Sequence, residues 1–535
     1  MKEKIVKCIE ILLLLAGGFL TAFFYRLQMK YSVWNTLGDE KIHIDLTSSG
    51  QQIGSVLAVV FMIAVSFFLL RMLKKKGRST LPAGVVAVFT GVYALVLLLW
   101  IALLQMPLIP DDTGLCYSSA EAIFLNNFTD YAFAKDYLAR CPQQLGIVSI
   151  DLLGMRLMGD RADLFFQGIN AALLVLAYLA GERLTARLSE RFDNPLPELL
   201  WLVFGLLNAP AICYVNYLYG EVACLSTMVI CTWALMEYLQ SRKMGWLAVL
   251  LPVTAVGVLL RMNTLVFVIA AVLVLLLQAF LDKRPAHLVV VFLLVASALL
   301  PSPLLRSVYD RNPELSFPGG IPNSLYIAMG LHDSWVGPGW YDDSNRTVYL
   351  ETDGDLAQCR EIARADISAA MDRYKEDPAY AKDFFYRKVL TQWAEASYGS
   401  IFCCLYCGSE NEKVAGFVNE LVYGKANGPY RTFLSLFQGI LYAGMFLGAV
   451  FEFLELLTGR REPDPVRILP WLALLGGFLF SILWEAKSRY VMEYVVLLIP
   501  YAALGYGELA RRLSQLRISG SARIRKGGSG REKKH

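Results

Sequence analysis

Long apolar stretches, separated by shorter polar connections, run along most of the chain. A helix that crosses a membrane needs about 20 predominantly apolar residues. By that criterion the sequence predicts about twelve spanning helices. They cover roughly residues 5–26, 51–72, 82–107, 161–181, 196–215, 219–239, 245–259, 262–281, 286–305, 433–457, 467–484 and 490–509. The pattern therefore predicts an all-α polytopic membrane protein.

Composition agrees with this pattern. The 535 residues are 56% hydrophobic and 18% charged. Soluble domains carry about 25% charged residues. The deficit excludes a soluble enzyme and a disordered chain. The formal net charge of +4 is less informative, because the charged residues are sorted by segment rather than spread evenly.

Lys and Arg residues predict the orientation of the helices, because they accumulate in short cytoplasmic loops. The N-terminus and every second connection are basic: Lys2 to Lys7, Arg71 to Arg78, Arg183 to Arg191, Arg242-Lys243, Lys283-Arg284, Arg460 to Arg467 and Arg511 to Lys534. With twelve spans all these clusters face the cytoplasm. The sequence thus predicts a multi-pass plasma-membrane protein with both termini cytoplasmic. Basic clusters at span ends are membrane anchors, so nucleic acid is not an expected partner.

Two long segments are then expected outside the membrane, and they divide the chain. The predicted divisions are N-terminal transmembrane helices (1–106), a first extracytoplasmic catalytic loop (107–160), transmembrane helices (161–305), an extracytoplasmic loop domain (306–432), C-terminal transmembrane helices (433–510) and a basic cytoplasmic tail (511–535). The first loop is expected to contain outer-face amphipathic helices that lie at the membrane interface. Its apolar stretch 143–158 is short for a span, so we expect it along the surface or re-entrant.

The second outer segment is expected to be a mixed loop domain. It opens with Pro/Gly-rich turns. From about residue 355 to 398 it becomes helical, with a break predicted at Asp377-Pro378.

Two adjacent carboxylates follow the third predicted span directly, in the run Pro110-Asp111-Asp112. Charges close to the membrane are costly and often functional. Adjacent carboxylates repel each other, so one of them tends to keep its proton unless a cation lies near. From the residues alone, the alternative is that the pair caps the short helix that follows.

Several short runs, in this order along the chain, resemble one superfamily of membrane enzymes. They are Pro110-Asp111-Asp112, Tyr137-Leu-Ala-Arg140-Cys-Pro142-Gln143-Gln144, Asn216-Tyr-Leu-Tyr-Gly-Glu221, Leu260-Arg261-Met262-Asn263, Met329-Gly330-Leu331, Gly339-Trp340-Tyr341 and Lys487-Ser488-Arg489-Tyr490. Over roughly residues 82–510 the arrangement resembles the C-type (GT-C) glycosyltransferases, which include protein O-mannosyltransferases and lipid A aminoarabinose transferases.

The resemblance implies a bacterial membrane enzyme. It would move a sugar from a polyprenyl-phosphate donor to an acceptor hydroxyl at the outer face of the membrane, with inversion. The acceptor would be an envelope glycan, a lipid or a protein. No resident cofactor is identified, and dependence on a divalent cation stays open. The run Cys403-Cys404-Leu-Tyr-Cys407 lacks a second pair of ligands, so no metal site is predicted there.

Such a transfer needs a general base for the acceptor hydroxyl and cations for the leaving phosphate. As in an inverting glycosidase, one carboxylate would activate the attacking oxygen. Asp112 is the first candidate for this base and Asp111 the second. A basic residue in an extracytoplasmic turn runs against the accumulation of Lys and Arg in cytoplasmic loops, so a specific role is expected for it. A guanidinium can bind a phosphate through two hydrogen bonds. Arg489 is therefore the first candidate for the phosphate.

The candidate substrate-binding residues are Arg489, Arg261, Arg140, Lys487, Glu221, Lys388 and His332. Several have structural alternatives that the sequence leaves open. Arg489 could instead pair with Glu485 or Glu493, and Arg261 with Glu221. Glu221 could cap a helix, Lys388 could belong to an interfacial belt, and a loop histidine such as His332 usually binds neither sugar nor metal.

Two other functions stay open at this point. One is a transporter or flippase of lipid-linked sugars, and the other is an envelope polysaccharide polymerase or ligase. Transporters tend to have internal repeats and broken helices, and the sequence shows no internal repeat. An outer chamber in which Asp112 meets Arg489 favours transfer, whereas a polar pathway through the membrane favours transport.

Overall fold

Helices account for nearly all regular structure in the described part of the chain. The structure, a computed structural model, describes residues 1–35, 40–75, 80–105, 111–192, 194–316, 319–406 and 408–528. Within these residues the strands form one antiparallel hairpin of β1 (Tyr31–Asn35) and β2 (Ile42–Leu46). The predicted all-α fold class is confirmed.

Six helices precede residue 160. They are α1 (Lys2–Lys30), α2 (Ser49–Lys75), α3 (Ala83–Leu104), α4 (Asp112–Leu125), α5 (Ala132–Arg140) and α6 (Leu145–Met158). The two ends of α4 follow local rules: the Asp111 side chain caps its N-terminus, and Asn126 ends it in the left-handed conformation. At least half of the α6 residues are buried, and the helix packs against α4. It therefore does not lie free along the surface, which is one of the two placements predicted for this stretch.

Eight helices follow before the second long polar segment. They are α7 (Ala162–Ser189), α8 (Leu196–Leu207), α9 (Ala209–Cys213), α10 (Glu221–Ser241), α11 (Leu247–Leu260), α12 (Thr264–Asp282), α13 (Ala286–Leu299) and α14 (Pro301–Tyr309). The chain bends by 54° between α8 and the helical stretch from Ala209 to Asn216. Pro210 lacks the N–H that a continuous helix would need there, and Asn208 caps the new start through the N–H of Ala211.

The second polar segment is also helical. It contains α15 (Asn323–Gly330), α16 (Ser344–Glu351), α17 (Leu356–Glu376), α18 (Pro378–Trp393), α19 (Ser400–Leu405) and α20 (Glu412–Val422). The break predicted at Asp377-Pro378 is present, because α17 ends at Glu376 and the Asp377 side chain caps α18. This segment contacts the first polar segment (107–160) directly, because the N–H of Ile321 donates to the carbonyl of Arg140 at 2.9 Å.

Three helices complete the chain, α21 (Asn427–Leu457), α22 (Leu469–Leu483) and α23 (Met492–Gly528). By length and composition, nine helical stretches of the described residues could cross a membrane, or ten if the bent pair at Asn208 is one span. The two other predicted spans are helical as well. One is the shorter apolar stretch Met244–Leu260, and the other lies within α23.

Close backbone contact between α21 and α23 forms the centre of the bundle. A Cβ atom at Gly505 would lie 2.2 Å from the carbonyl oxygen of Gly444, and one at Gly448 would lie 2.3 Å from that of Tyr501. Small residues are used in this way where membrane helices approach closely. The packing fixes α23, and with it the turn that precedes α23, which belongs to the site described next.

Candidate active site

The site begins at the start of α4, where the two adjacent carboxylates have different surroundings. Asp111 is held by three donors: Thr113 donates from its backbone N–H at 2.8 Å and from its hydroxyl at 2.6 Å, and the Tyr217 hydroxyl donates at 3.0 Å. Burial raises the pKa of Asp111, although the bonds from Thr113 oppose that shift. Asp111 therefore has the capping position that the sequence left as an alternative.

Asp112, one residue further, is more accessible. Its side chain is 43% exposed, and the Tyr137 hydroxyl donates to it at 3.3 Å. Its second oxygen lies 3.8 Å from the guanidinium of Arg489. This carboxylate can therefore meet a molecule that enters from outside while a fixed positive charge lies beside it.

Arg489 lies in a short turn between α22 and α23, and its side chain is only 10% exposed. Its Nη1 donates to the Tyr217 hydroxyl at 2.7 Å, and its Nε lies 3.5 Å from Glu221. A parallel bridge between Trp340 and Ala486 ties this turn to the second polar segment. The ion pairs with Glu221 and Asp112 replace the pairing with Glu485 or Glu493 that the sequence left open.

Glu221 and Arg261 come together because two interhelical turns touch. A Cβ atom at Gly220 would lie 2.3 Å from the carbonyl oxygen of Leu260, so only glycine permits this contact. The Arg261 guanidinium consequently lies 3.0 Å from Glu221 Oε1, which is the pair that the sequence left as an alternative. Both oxygens of Glu221 are buried and have no hydrogen-bond partner among the described residues, so the ion pairs with Arg261 and Arg489 are its polar contacts.

Tyrosine rings enclose the two guanidinium groups. The central guanidinium carbon of Arg261 lies 5.2 Å from the Tyr219 ring and 4.9 Å from the Tyr490 ring. That of Arg489 lies 5.6 Å from the Tyr490 ring and 5.9 Å from Tyr217. Aromatic faces attract cations and exclude water, so the rings keep both charges in place in a poorly solvated pocket.

Lys487 lies on the same turn as Arg489 but has a different partner. It forms an ion pair with Glu40, and its ammonium lies 5.4 Å from the Trp340 ring. Burial alone would raise the pKa of Glu40, but Lys487 holds it below its ordinary value. Nearby, burial raises the pKa of Glu485, which accepts a hydrogen bond from the Tyr490 hydroxyl at 3.3 Å.

Lys388, a predicted substrate-binding residue, is fully buried in α18 and faces backbone carbonyls. Its ammonium donates to the carbonyl oxygens of Gly330, Ile482 at 2.9 Å and Trp484 at 2.7 Å. Burial lowers the pKa of Lys388 to about 7, whereas three carbonyl acceptors match the three donors of the charged form. This geometry favours support of the turn before Arg489 over contact with a sugar.

Arg140 and His332, the other predicted substrate-binding residues, lie beside the site. Arg140 pairs with Asp136 at 3.1 Å and lies 5.9 Å from the ring of Tyr137, the donor to Asp112. His332 pairs with Asp342 at 2.7 Å, and this bond raises the pKa of His332. Among the described residues, no hydrogen bond or ion pair joins His332 to Asp112.

Among the described residues, no group of three or more His, Cys, Asp or Glu side chains is arranged to hold a metal ion. Cys403 and Cys404 are buried free thiols, and Cys407 lies outside the described residues. The Sγ atom of Cys403 lies 3.6 Å from Arg489 Nη1, which donates to it.

Three residues that contribute to the site, Tyr217, Glu40 and Tyr137, are not among the site residues predicted from the sequence. Tyr217 lies in the matched run around Glu221, but its hydroxyl links Asp111 to Arg489 only after folding. Glu40 comes from the connection between α1 and α2, far along the chain from its partner Lys487. Tyr137 lies in the run that contains Arg140, and it donates to Asp112.

Comparison with known proteins gives one likeness. No family model matches the chain, and no curated protein matches it. Among solved structures, the crystal structure of ArnT from Cupriavidus metallidurans in the apo state is similar at 15% sequence identity and a TM-score of 0.31, over 79% of this chain and 78% of that chain.

Proposed function

We propose that this chain is a membrane glycosyltransferase that moves a sugar from a polyprenyl-phosphate donor to an acceptor hydroxyl at the outer face of the membrane. The observation that carries the proposal is the pair of Asp112 and Arg489, whose charged groups lie 3.8 Å apart. Transfer from a lipid phosphate needs a proton acceptor on one side of the anomeric carbon and a positive charge on the other. The pair brings both groups to one opening, and the sugar and its phosphate would enter between them and separate the ion pair.

In the proposed step, the acceptor oxygen attacks the anomeric carbon while Asp112 takes its proton. The bond between the anomeric carbon and the phosphate oxygen breaks, and its electrons stay on the phosphate. Arg489 and Arg261 stabilise the negative charge that grows there. One displacement from the face opposite the phosphate inverts the configuration at the anomeric carbon.

The charge balance of the pocket supports the role of the arginines. Arg261 and Arg489 both approach the same oxygen of Glu221, at 3.0 Å and 3.5 Å. Glu221 can compensate one of these two positive charges, so the Arg489 guanidinium keeps a positive charge beside Asp112. A phosphate that binds Arg489 would compete for this charge and leave the Asp112 carboxylate available to accept a proton. The poorly solvated surroundings strengthen both interactions.

The contrast between the neighbouring carboxylates supports Asp112 as the base. Each oxygen of Asp111 already accepts a hydrogen bond, and burial raises the pKa of this group. A base must reach the hydroxyl whose proton it removes, which requires an accessible oxygen. Asp112, at 43% exposure, meets that requirement better.

Transport of a lipid-linked sugar is the second candidate, and the bent helix pair at Asn208 favours it. Discontinuous helices commonly border the binding sites of transporters, and the bend here is 54°. The side chains that contact one another around Arg489, however, come from interhelical turns and helix ends, as an enzyme site at a membrane face requires. Transport would leave the sugar–phosphate bond intact, so the two candidates give different products.

The experiment that tests the proposal compares envelope glycans from cells with and without the chain by mass spectrometry. A glycosyltransferase predicts the loss of one defined sugar increment from an acceptor, and its return when the gene is restored. Loss of a transporter would also remove the increment, but it would leave the lipid-linked donor at the cytoplasmic face, so the position of the donor distinguishes the two candidates. If the acceptor masses are identical in both strains, the proposal fails.

A further inference from the structure

A second polar cavity lies at the opposite end of the bundle from the proposed active site. It has a volume of about 440 Å³ and lies between the start of α3, the ends of α7 and α10, and the start of α8. Glu221 of the active site and Glu237 of this cavity are sixteen positions apart in α10. At 1.5 Å per residue the two sites are separated by about 24 Å along that helix. The proposed reaction uses no residue of this cavity.

Two buried carboxylates in the wall of the cavity have few partners. Glu182 and Glu198 are 2% and 8% exposed. The Oε2 atom of Glu182 has no hydrogen-bond partner, and its ion pair is with Arg183 Nε at 3.4 Å. The Arg183 side chain is itself 63% exposed, so solvent weakens this pair. Burial and mutual repulsion favour the protonated form of such carboxylates, and a further cation in the cavity would stabilise their charged form.

The second guanidinium that lines the cavity already has its own partners. Arg187 forms two hydrogen bonds with Glu237, at 2.8 Å and 3.2 Å, and also pairs with Glu190 at 3.5 Å. The described side chains that line the cavity thus include four carboxylates and two guanidinium groups. Their balance is negative at the end of the bundle where the sequence pattern predicts basic loops. The lining therefore suits a positively charged ligand.

Two tryptophans indicate what kind of cation fits. Trp233 and Trp246 both line the cavity, with ring centroids 5.0 Å apart at an angle of 75°. The indole N–H of Trp233 is buried and has no acceptor among the described residues. Aromatic faces attract organic ammonium groups, and an ammonium ligand that also carries an acceptor oxygen could satisfy the indole. A metal ion is a poorer match, because no group of three or more ligating side chains occurs among the described residues.

We propose that this cavity binds a primary ammonium group between Glu182, Glu198 and the tryptophan pair. Two sources share this chemistry, the headgroup of an aminophospholipid and a soluble polyamine. With a lipid, the exposed Arg183 at the rim would also contact the headgroup phosphate. With a polyamine, several ammonium groups would share the carboxylates. In either case binding would stabilise the ends of α7, α8 and α10 where they meet.

The test uses the full chain, purified in detergent or in nanodiscs, with spermidine and phosphatidylethanolamine as probes and phosphatidylglycerol as the amine-free comparison. Titration calorimetry measures spermidine, and native mass spectrometry measures retained lipid. Glu198→Gln and Glu182→Gln remove one charge each at nearly constant shape, and exposed Glu462 supplies the control Glu462→Gln. Each cavity variant is expected to lower affinity for an amine at least about tenfold, while the control leaves it unchanged.

The two kinds of probe distinguish a soluble amine from a lipid headgroup. Binding of spermidine supports a soluble amine, and preferential retention of phosphatidylethanolamine over phosphatidylglycerol supports a lipid headgroup. Loss of repulsion predicts that Glu198→Gln without ligand melts no lower than the unmodified chain, so misfolding would not be mistaken for lost binding. The proposal is overturned if spermidine does not bind and both lipids are retained equally, or if the cavity variants bind amines as well as the control does.

Discussion

The Tyr217 hydroxyl donates a hydrogen bond to Asp111 at 3.0 Å, and the same hydroxyl accepts one from Arg489 at 2.7 Å. One phenol thus connects the cap of α4 with the turn before α23. The contact explains how the neighbouring Asp112 comes to lie beside Arg489, although the two residues belong to opposite ends of the sequence. It also fixes Asp111 and leaves Asp112 as the accessible carboxylate.

Tyr217→Phe is expected to weaken donor binding through Arg489. The substitution removes both hydrogen bonds and leaves the buried Asp111 with one donor fewer, at a cost of about 1–3 kcal/mol in stability. Affinity for undecaprenyl phosphate, measured on the purified variant, should fall. Tyr309→Phe is the matched control, because its hydroxyl bonds to Ser149 at 2.8 Å, outside the site. Equal affinities in both variants would separate Tyr217 from the donor site.

Arg489 is expected to tolerate neither loss nor replacement by lysine. Arg489→Ala leaves Glu221 and Asp112 without one cation, so donor affinity should fall at least about thirtyfold. Arg489→Lys keeps the charge but loses the planar fork, and we expect an intermediate value. Arg387→Ala, which removes a half-buried guanidinium of the second polar segment that is paired with Asp333 at 3.1 Å, is the control. Unchanged affinity and turnover per folded Arg489→Ala molecule would remove Arg489 from the site.

The sequence predicts the spans and indicates charged residues of the candidate site. In their described residues the twelve predicted apolar segments are largely helical, because spanning helices need long apolar runs that are visible in the residues themselves. Asp112, Glu221, Arg261 and Arg489 lie at predicted span ends, where a charge needs a partner. The structure brings all four together.

The partners of these residues could not be predicted, because they depend on how distant turns meet. The approach of Gly220 to Leu260, which places Glu221 beside Arg261, follows from interhelical packing. Glu40 pairs with Lys487 across most of the chain length. The surroundings of Lys388 depend on packing in the same way: a basic residue in an aromatic helix predicts a sugar contact, whereas in the structure its ammonium faces three backbone carbonyls.

Lys388→Met tests this structural role. The variant keeps most of the side-chain volume but leaves the carbonyls of Gly330, Ile482 and Trp484 without their donor. We expect a loss of at least about 2 kcal/mol in stability, seen as a lower thermal midpoint. Donor affinity per folded molecule should change much less than in Arg489→Ala. A large loss of affinity at unchanged thermal stability would instead support the sugar contact predicted from the sequence.

His332 is expected to make the stability of the second polar segment sensitive to pH. Its hydrogen bond with Asp342 raises its pKa in the folded protein above the ordinary value of about 6.5. The stabilisation is therefore fully present below about pH 6.5 and is lost as the pH rises through the raised folded-state pKa. Scanning calorimetry from about pH 6 to pH 8.5 should show this loss in the unmodified chain. Asp342→Asn should reduce this loss of stability with rising pH, whereas the control Asp343→Asn should show the same loss as the unmodified chain.

The most direct test of the central claim is the release of polyprenyl phosphate by the reconstituted chain. Purified protein is given a panel of polyprenyl-phosphate sugars with an envelope extract as acceptor, and free polyprenyl phosphate is measured by mass spectrometry. The account predicts release that is coupled to glycosylation of an acceptor. It also predicts that Asp112→Asn lowers release by about two to four orders of magnitude while donor affinity is kept. Full release by Asp112→Asn, or movement of intact donor across the bilayer without any release, would contradict it.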